Sequence, residues 1–266
     1  MSELWKQQNY LVDIPYLISN HIYEYDIRKA NINVLYALGE ITKEYYDVLN
    51  DMTKLQREID VGYMLRDYKG LSDKLKDGIA YFRKQLFEKN NLEDRDILAI
   101  KNDAIFVINK QLKYTTFGNV EFVLKNRYSI FLKLSKHLEI YFESDMVNGT
   151  ISLDVKGIKD DKLELHHKYM ASVIADVLYY METKDINSGL TYLSEVYNAY
   201  VDKKLPIGYY RNFNAESKYI IKIGNSVYEM DYCTESMFNN IDIGCNLEIL
   251  RNLYGYLTNL YMQQNI

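Results

Sequence analysis

Two aspartates stand where apolar strands end or bend. In "YEYDIRKANINVL" (residues 23–35) Asp26 closes an aromatic, β-branched run just before Arg28 and Lys29, and in "ILAIKNDAIFVI" (residues 97–108) Asp103 interrupts two apolar runs. Taken singly, either acid is an ordinary turn or surface residue. Together they suggest a metal site. Magnesium prefers hard oxygen ligands. Phosphoryl transfer to a growing strand uses two divalent ions roughly 3.5–4 Å apart, one activating a 3′-hydroxyl and one escorting a triphosphate. One aspartate at a strand end and another on an adjacent hairpin converge at the sheet surface, so the pair meets this layout if their strands are neighbours.

The elements that must position them follow from periodicity. A turn around Pro15 leads to a strand at 21–27, which passes into a helix near Asn31. From Thr42 to about Lys69 the pattern is helical, with apolar Val48, Leu49, Met52, Leu55, Ile59 and Met64. Ser72 is a good N-cap for a second helix running to about Asn90, with Leu71, Leu75, Ile79, Phe82 and Leu86 on its apolar face. Strand-like stretches then cover 96–112, 114–134, 138–143 and 149–157, with Asn148-Gly149 as a hairpin turn. Helical patterns return from His166, a short strand pair falls around 218–230, and a helix at about 244–264 closes the chain. Strand, helices, antiparallel strands, helices is an α+β order.

Bulk composition narrows the class. The chain has 266 residues, 48% of them hydrophobic and 26% charged, as in a soluble globular protein. Apolar runs such as "AIFVI" are far shorter than the roughly 20 residues of a membrane span. The first residues show no signal-peptide pattern. Cys233 and Cys245 form no CxxC and have no histidine at ligand spacing, which reads as thiols of a reducing, cytoplasmic compartment. His166-His167 likewise have no carboxylate or cysteine at ligand spacing and read as a helix start. The net charge of −5 argues against nucleic acid only as an average. Residues 101–137 carry seven basic side chains (Lys101, Lys110, Lys113, Lys125, Arg127, Lys133, Lys136) against two acids, Asp103 and Glu121. Such a strip suits phosphates as well as it suits a solvated strand face. No glycine-rich phosphate loop of the G-x-x-x-x-G-K-[ST] type occurs.

Four short segments, in order, resemble family B DNA polymerases. "YEYDIRKANINVL" resembles motif A, where a strand-end aspartate leads into a short helix. "IKNDAIFV" resembles the D-T-D-S-I-F-V hairpin of motif C, with Asp103 at the second acid. "VLKNRYSIFLKL", with Lys125, Arg127 and Tyr128, looks like the K-K-R-Y strand laid along the primer–template minor groove. "LDVKGIKDDKLELH", with Lys156 and Gly157, looks like the V-K-G-[IL] segment leading to the thumb. Motif B is weaker: Lys54 and Gly62 keep its eight-residue separation, and Lys54 and Arg57 share a helical face able to hold triphosphate oxygens.

The resemblance implies an antiparallel palm-like sheet with flanking helices over residues 1–165, a short helical fingers insertion at about 42–90, and a mostly helical thumb-like region at 166–266. It implies Asp26 and Asp103 as catalytic carboxylates, Mg²⁺ (or Mn²⁺) on Asp26, Ile27 and Asp103, and nucleotide contacts from Asn31, Lys54 and Arg57. Lys125, Arg127, Tyr128, Lys156 and Gly157 would hold nucleic acid. Implied partners are primer–template DNA, nucleoside triphosphates and replisome proteins, with no membrane. The setting would be a phage-infected bacterial cytoplasm. Only about 20 residues precede motif A, so no 3′–5′ exonuclease is expected.

The departures are equally concrete. Lys101 replaces the first motif C acid, and Asn31 stands where a tyrosine excludes the 2′-hydroxyl by bulk. Three functions therefore stand side by side: a DNA-directed polymerase, an inactive palm-fold protein binding primer–template or a replisome partner, and a primase-like enzyme incorporating ribonucleotides.

Overall fold

Aromatic and β-branched residues make Tyr16–Ile27 a long strand, and the parts of the first unit are arranged around it. The computed structural model describes residues 3–133, 139–145, 150–156, 167–204, 219–223, 226–230 and 244–264. The chain divides into two compact units, residues 1–130 and 131–266.

The first unit carries β1 (Asn9–Leu11), β2 (Tyr16–Ile27), β3 (Ile97–Lys101), β4 (Ala104–Ile108), β5 (Thr116–Phe117) and β6 (Val120–Lys133), the last running past the unit boundary. Their order is β1-β3-β4-β2-β6, with β5 on β6. The β1–β3, β3–β4, β2–β4 and β5–β6 pairs are antiparallel. Strands β3 and β4 are apolar without alternation because both faces are covered: Ile97, Leu98, Ala99, Ile100, Ile105, Phe106 and Val107 are all buried. The helices are α1 (Ala30–Ala37), α2 (Lys43–Asp51), α3 (Lys54–Asp67) and α4 (Leu71–Asn90). Helix α4 packs against α1, α3 and the short 3-10 turn Leu4–Lys6.

Two local expectations are corrected. The single helix from 42 to 69 is two helices, broken at Met52, whose ψ is 153°. The cause is a capping box: the Thr53 hydroxyl accepts from the Gln56 backbone and the Gln56 side chain accepts from the Thr53 backbone. Restarting the helix rotates its faces, so Leu49, Val61 and Met64 are buried while Val48, Leu55 and Ile59 are exposed. Helix α4 begins one residue before Ser72, with Gly70 at its N-cap in the left-handed region (φ 84°). A serine cap needs an extended backbone at the cap position. The chain turns there through glycine instead.

Gly78 sits where α4 crosses α1. A Cβ placed on it would lie 2.6 Å from both Val34 Cγ1 and Leu38 Cδ1, so the two helices approach through its missing side chain.

In the second unit β7 (Glu139–Asp145) and β8 (Thr150–Lys156) form an antiparallel hairpin; the Asn148-Gly149 turn lies outside the described residues. Helices α5 (His167–Glu182), α6 (Ile186–Val201) and α7 (Gly244–Gln264) follow, with α6 packed on both α5 and α7. Val173, Ile174, Val177, Leu193, Ile249, Leu253 and Leu257 are among the unit's buried apolar residues. A second hairpin, β9 (Tyr219–Ile223) with β10 (Ser226–Met230), matches the strand pair expected there. The architecture is α+β.

The capping box yields a direct test. Thr53→Ala should lower stability by about 1 kcal/mol, while Thr53→Asp should keep most of it. Chemical denaturation of the three proteins checks this.

Candidate functional site

The β3–β4 connection is a two-residue turn, Asn102-Asp103, closed by the Lys101–Ala104 pair. Asn102 takes φ 53°, a left-handed conformation that asparagine adopts more readily than most residues. In the β2–β4 register Asp26 faces Ala104, next in the chain to Asp103. The two aspartates therefore meet at one end of neighbouring strands. The Asp26 and Asp103 side chains share a hydrogen bond. Burial first, then the nearby Asp26 charge and that hydrogen bond, raise the Asp103 carboxyl to about 6.

The turn is held from behind. Arg83 on α4 is 2% exposed and donates through Nη1 to the Trp5 carbonyl at 2.9 Å and to that of Gln7, and through Nη2 to that of Asn102. The Asn102 amide donates to Gln8 O at 2.7 Å. Burial draws the Arg83 guanidinium down to about 10, opposed by the Asp103 charge, so it stays protonated at neutral pH.

Asp26 is followed by an equally constrained corner. Lys29 caps α1 at φ 46°, and its ammonium donates to Asn50 Oδ1 at 2.6 Å and Asn50 O at 3.0 Å. Buried Asn33 donates to Arg28 O at 2.6 Å, accepts from the Tyr46 hydroxyl at 2.8 Å, and through its carbonyl accepts from Asn119 at 2.9 Å. Each such bond adds on the order of 1 kcal/mol net. Together they fix the path of the chain as it leaves β2.

In front of the acids lies a cavity of about 460 Å³. Its lining includes Asp26, Ile27, Asn31, Lys54, Arg57, Asp103 and Lys125. The structure thus brings together the expected carboxylates, nucleotide contacts and one of the basic strand residues. Lys54 is largely exposed and 3.8 Å from Glu58, and Arg57 donates to Met52 O at 3.2 Å. Asn31 and Asp103 also line a second cavity, of about 370 Å³, with Arg83 and Lys76.

Other expected contacts are placed differently. Tyr128 is 1% exposed; its hydroxyl donates to Glu24 Oε2 at 2.7 Å and its ring stacks near Phe106 at 6.3 Å. That gives it an internal task, orienting Glu24. Arg127 is exposed and lies 5.9 Å over the Tyr23 ring. Lys156 belongs to the second unit and pairs with Asp154 at 2.6 Å; Gly157 lies outside the described residues. Lys101 lies 6.0 Å from the Phe106 ring.

Sequence reasoning missed Arg83, Asn33 and Glu24. Arg83 had a signal: it falls four residues after Ile79 and eight after Leu75, on the helix's apolar face. Among the described residues no group of three or more His, Cys, Asp and Glu is arranged to hold a metal ion. The two carboxylates nevertheless offer the hard oxygen donors that magnesium takes, at the edge of an open cavity.

An antiparallel sheet with helices and a paired-aspartate turn define an α+β protein with an acid-edged cavity. A model of the Bacteriophage PBS1 gene 130 protein family matches residues 1–259, and the chain belongs to that family. It is therefore a phage-type protein. No curated protein matches it. Among the described residues no helix is long and apolar enough to cross a membrane.

The acid pair predicts a pH signature. A carboxyl raised in the folded state adds stability that is present below about pH 4 and is lost as pH rises through about 6. Asp103→Asn should remove that dependence and raise the melting temperature at pH 7–8. Melting curves of both proteins from pH 4 to 8 check it.

Proposed function

We propose that this protein is a nucleotidyltransferase of polymerase type, adding nucleotides to a primer 3′ end on a template, with DNA-directed DNA synthesis as the leading activity. The single observation that carries the reading is the convergence of Asp26 and Asp103 at a cavity also lined by Asn31, Lys54 and Arg57. The sequence resemblance to family B polymerases supports it from a separate direction. In this reading the 3′-hydroxyl gives up its proton to solvent as its oxygen bonds to the α-phosphorus, the bond from that phosphorus to the bridging oxygen breaks, and pyrophosphate leaves. A divalent cation held by Asp26 and Asp103, beside Ile27, would supply Lewis-acid activation. Lys54 and Arg57 would neutralise the departing phosphates, and Arg127 would lie along nucleic-acid phosphates. Residues 1–165 act as palm with its 42–90 insertion as fingers, and 166–266 as thumb. The place of action is the cytoplasm of the infected cell.

A second reading has its own observation. Lys101 in place of a carboxylate, with no third acid arranged for metal among the described residues, suits an inactive palm-type protein that binds primer–template or a replication partner. Asn31 in place of a bulky tyrosine leaves ribonucleotide use open.

Primer extension with Mg²⁺ or Mn²⁺, comparing dNTPs with NTPs, separates these readings. In the enzyme reading Asp103→Asn should cut nucleotide addition by roughly two or more orders of magnitude while the chain stays folded and binds primer–template. Wild-type extension surviving that change would refute the metal-site argument. Absence of extension with either ion would favour the inactive reading.

The nucleic-acid contact has an independent check. Arg127→Ala should weaken primer–template binding equally for all sequences and flatten its salt dependence by about one charge. An unchanged slope in fluorescence anisotropy titrations would return Arg127 to a solvated strand face.

A further inference from the structure

The carboxylates that face the cavity already have a cation beside them. Lys125 Nζ stands 3.5 Å from Asp26 Oδ2 and 3.8 Å from Glu24 Oε1. Glu24 is a fixed partner, 2% exposed, with Oε2 accepting from the Tyr128 hydroxyl and from Asn126 Nδ2, each at 2.7 Å. Moving the ammonium away would leave the buried Glu24 carboxylate with its hydrogen bonds from Tyr128 and Asn126 but without this ion pair. Lys125, with about half of its side chain exposed, is thus ion-paired to both carboxylates at the edge of the cavity that Asp26 and Asp103 line.

We propose that Lys125 is a built-in counter-cation taking the place of one of the two metal ions such chemistry ordinarily uses, so that the site binds a single divalent ion between Asp26 and Asp103. This rests on the nucleotidyltransferase reading of the acid pair. Charge supports it: the Glu24, Asp26 and Asp103 carboxylates, with the Lys125 ammonium beside them and the Arg83 guanidinium behind Asp103, carry a net charge near −1, enough to draw one divalent ion but weak for two. Ligand supply agrees. A second ion needs further hard oxygens, whereas Glu24 commits one oxygen to Tyr128 and Asn126, and the residue before the Asn102-Asp103 turn is Lys101. A lysine cannot exchange with solvent ions, so part of the charge neutralisation would be present before any metal arrives.

Mn²⁺ titration of the full chain, read by electron paramagnetic resonance of the free ion and by calorimetry, tests this apart from activity. The wild-type chain should bind one ion, and Asp103→Asn should abolish that binding. Lys125→Met keeps the aliphatic stem and removes the charge; it should bind the first ion on the order of tenfold more tightly and admit a second. Lys125→Arg keeps the charge and should remain at one ion. Two ions on the wild-type chain would overturn the proposal, and that result decides it even where Lys125→Met fails to fold. So would a Lys125→Met titration that superimposes on wild type. In both cases loss of binding in Asp103→Asn would leave the carboxylate pair standing as a metal site. No ion on a folded wild-type chain would overturn both the proposal and the reading beneath it.

Discussion

A guanidinium taken out of water must have its donors met by fixed acceptors, and Arg83 meets that requirement with main-chain carbonyls of Trp5, Gln7 and Asn102. Those acceptors come from the amino-terminal segment and from the β3–β4 turn, while the arginine comes from α4. One side chain thus joins three stretches that are distant in sequence. The turn that carries Asp103 cannot shift without leaving buried hydrogen-bonding groups unpaired, a cost of roughly 1–3 kcal/mol for each. Arg83 also places a positive charge behind an aspartate that burial and Asp26 disfavour as an anion. The same contact therefore holds the turn and offsets part of the electrostatic penalty of the acid pair.

The two acids face opposing demands. Bringing carboxylates together in a partly buried place destabilises the folded chain at neutral pH, yet only such closeness allows one hard cation to touch both. The surroundings are built to tolerate this. Arg83 stands behind Asp103, Lys125 stands beside Asp26, and the Asn33 bonds with Lys29 on Asn50 keep the strand-to-helix corner from relaxing outward. Support of this kind around a destabilised centre is what a candidate site built on two close carboxylates requires.

Much of this was legible in the residues. The β-strand texture of 97–108 and the bend at Asn102-Asp103 gave the hairpin, and the apolar run ending at Asp26 gave its neighbour. The α+β class followed from element order alone. The break between α2 and α3 was legible too, in Thr53 and Gln56, but the apolar spacing across Met52 masked it. What stayed hidden depends on contacts between distant parts of the chain. Glu24 and Tyr128 are 104 positions apart, and nothing local marks a tyrosine in a basic strand as internal. Arg83 reads as one more charged helix residue until the carbonyls it serves are in place. Sequence periodicity reports which face is apolar, whereas polar burial is decided by partners.

Gly78 ties this architecture to inheritance. Every other amino acid carries a Cβ, so no missense change at this codon is conservative. Leu38 is partly exposed and can swing aside, but Val34 is buried and β-branched and has little room to turn. The strain would pass to α1, the helix that bears Asn31 on the cavity wall. A lesion here would leave every charged residue of the site in the gene, yet widen the space between them. Such an allele would be silent in any inventory of reactive side chains.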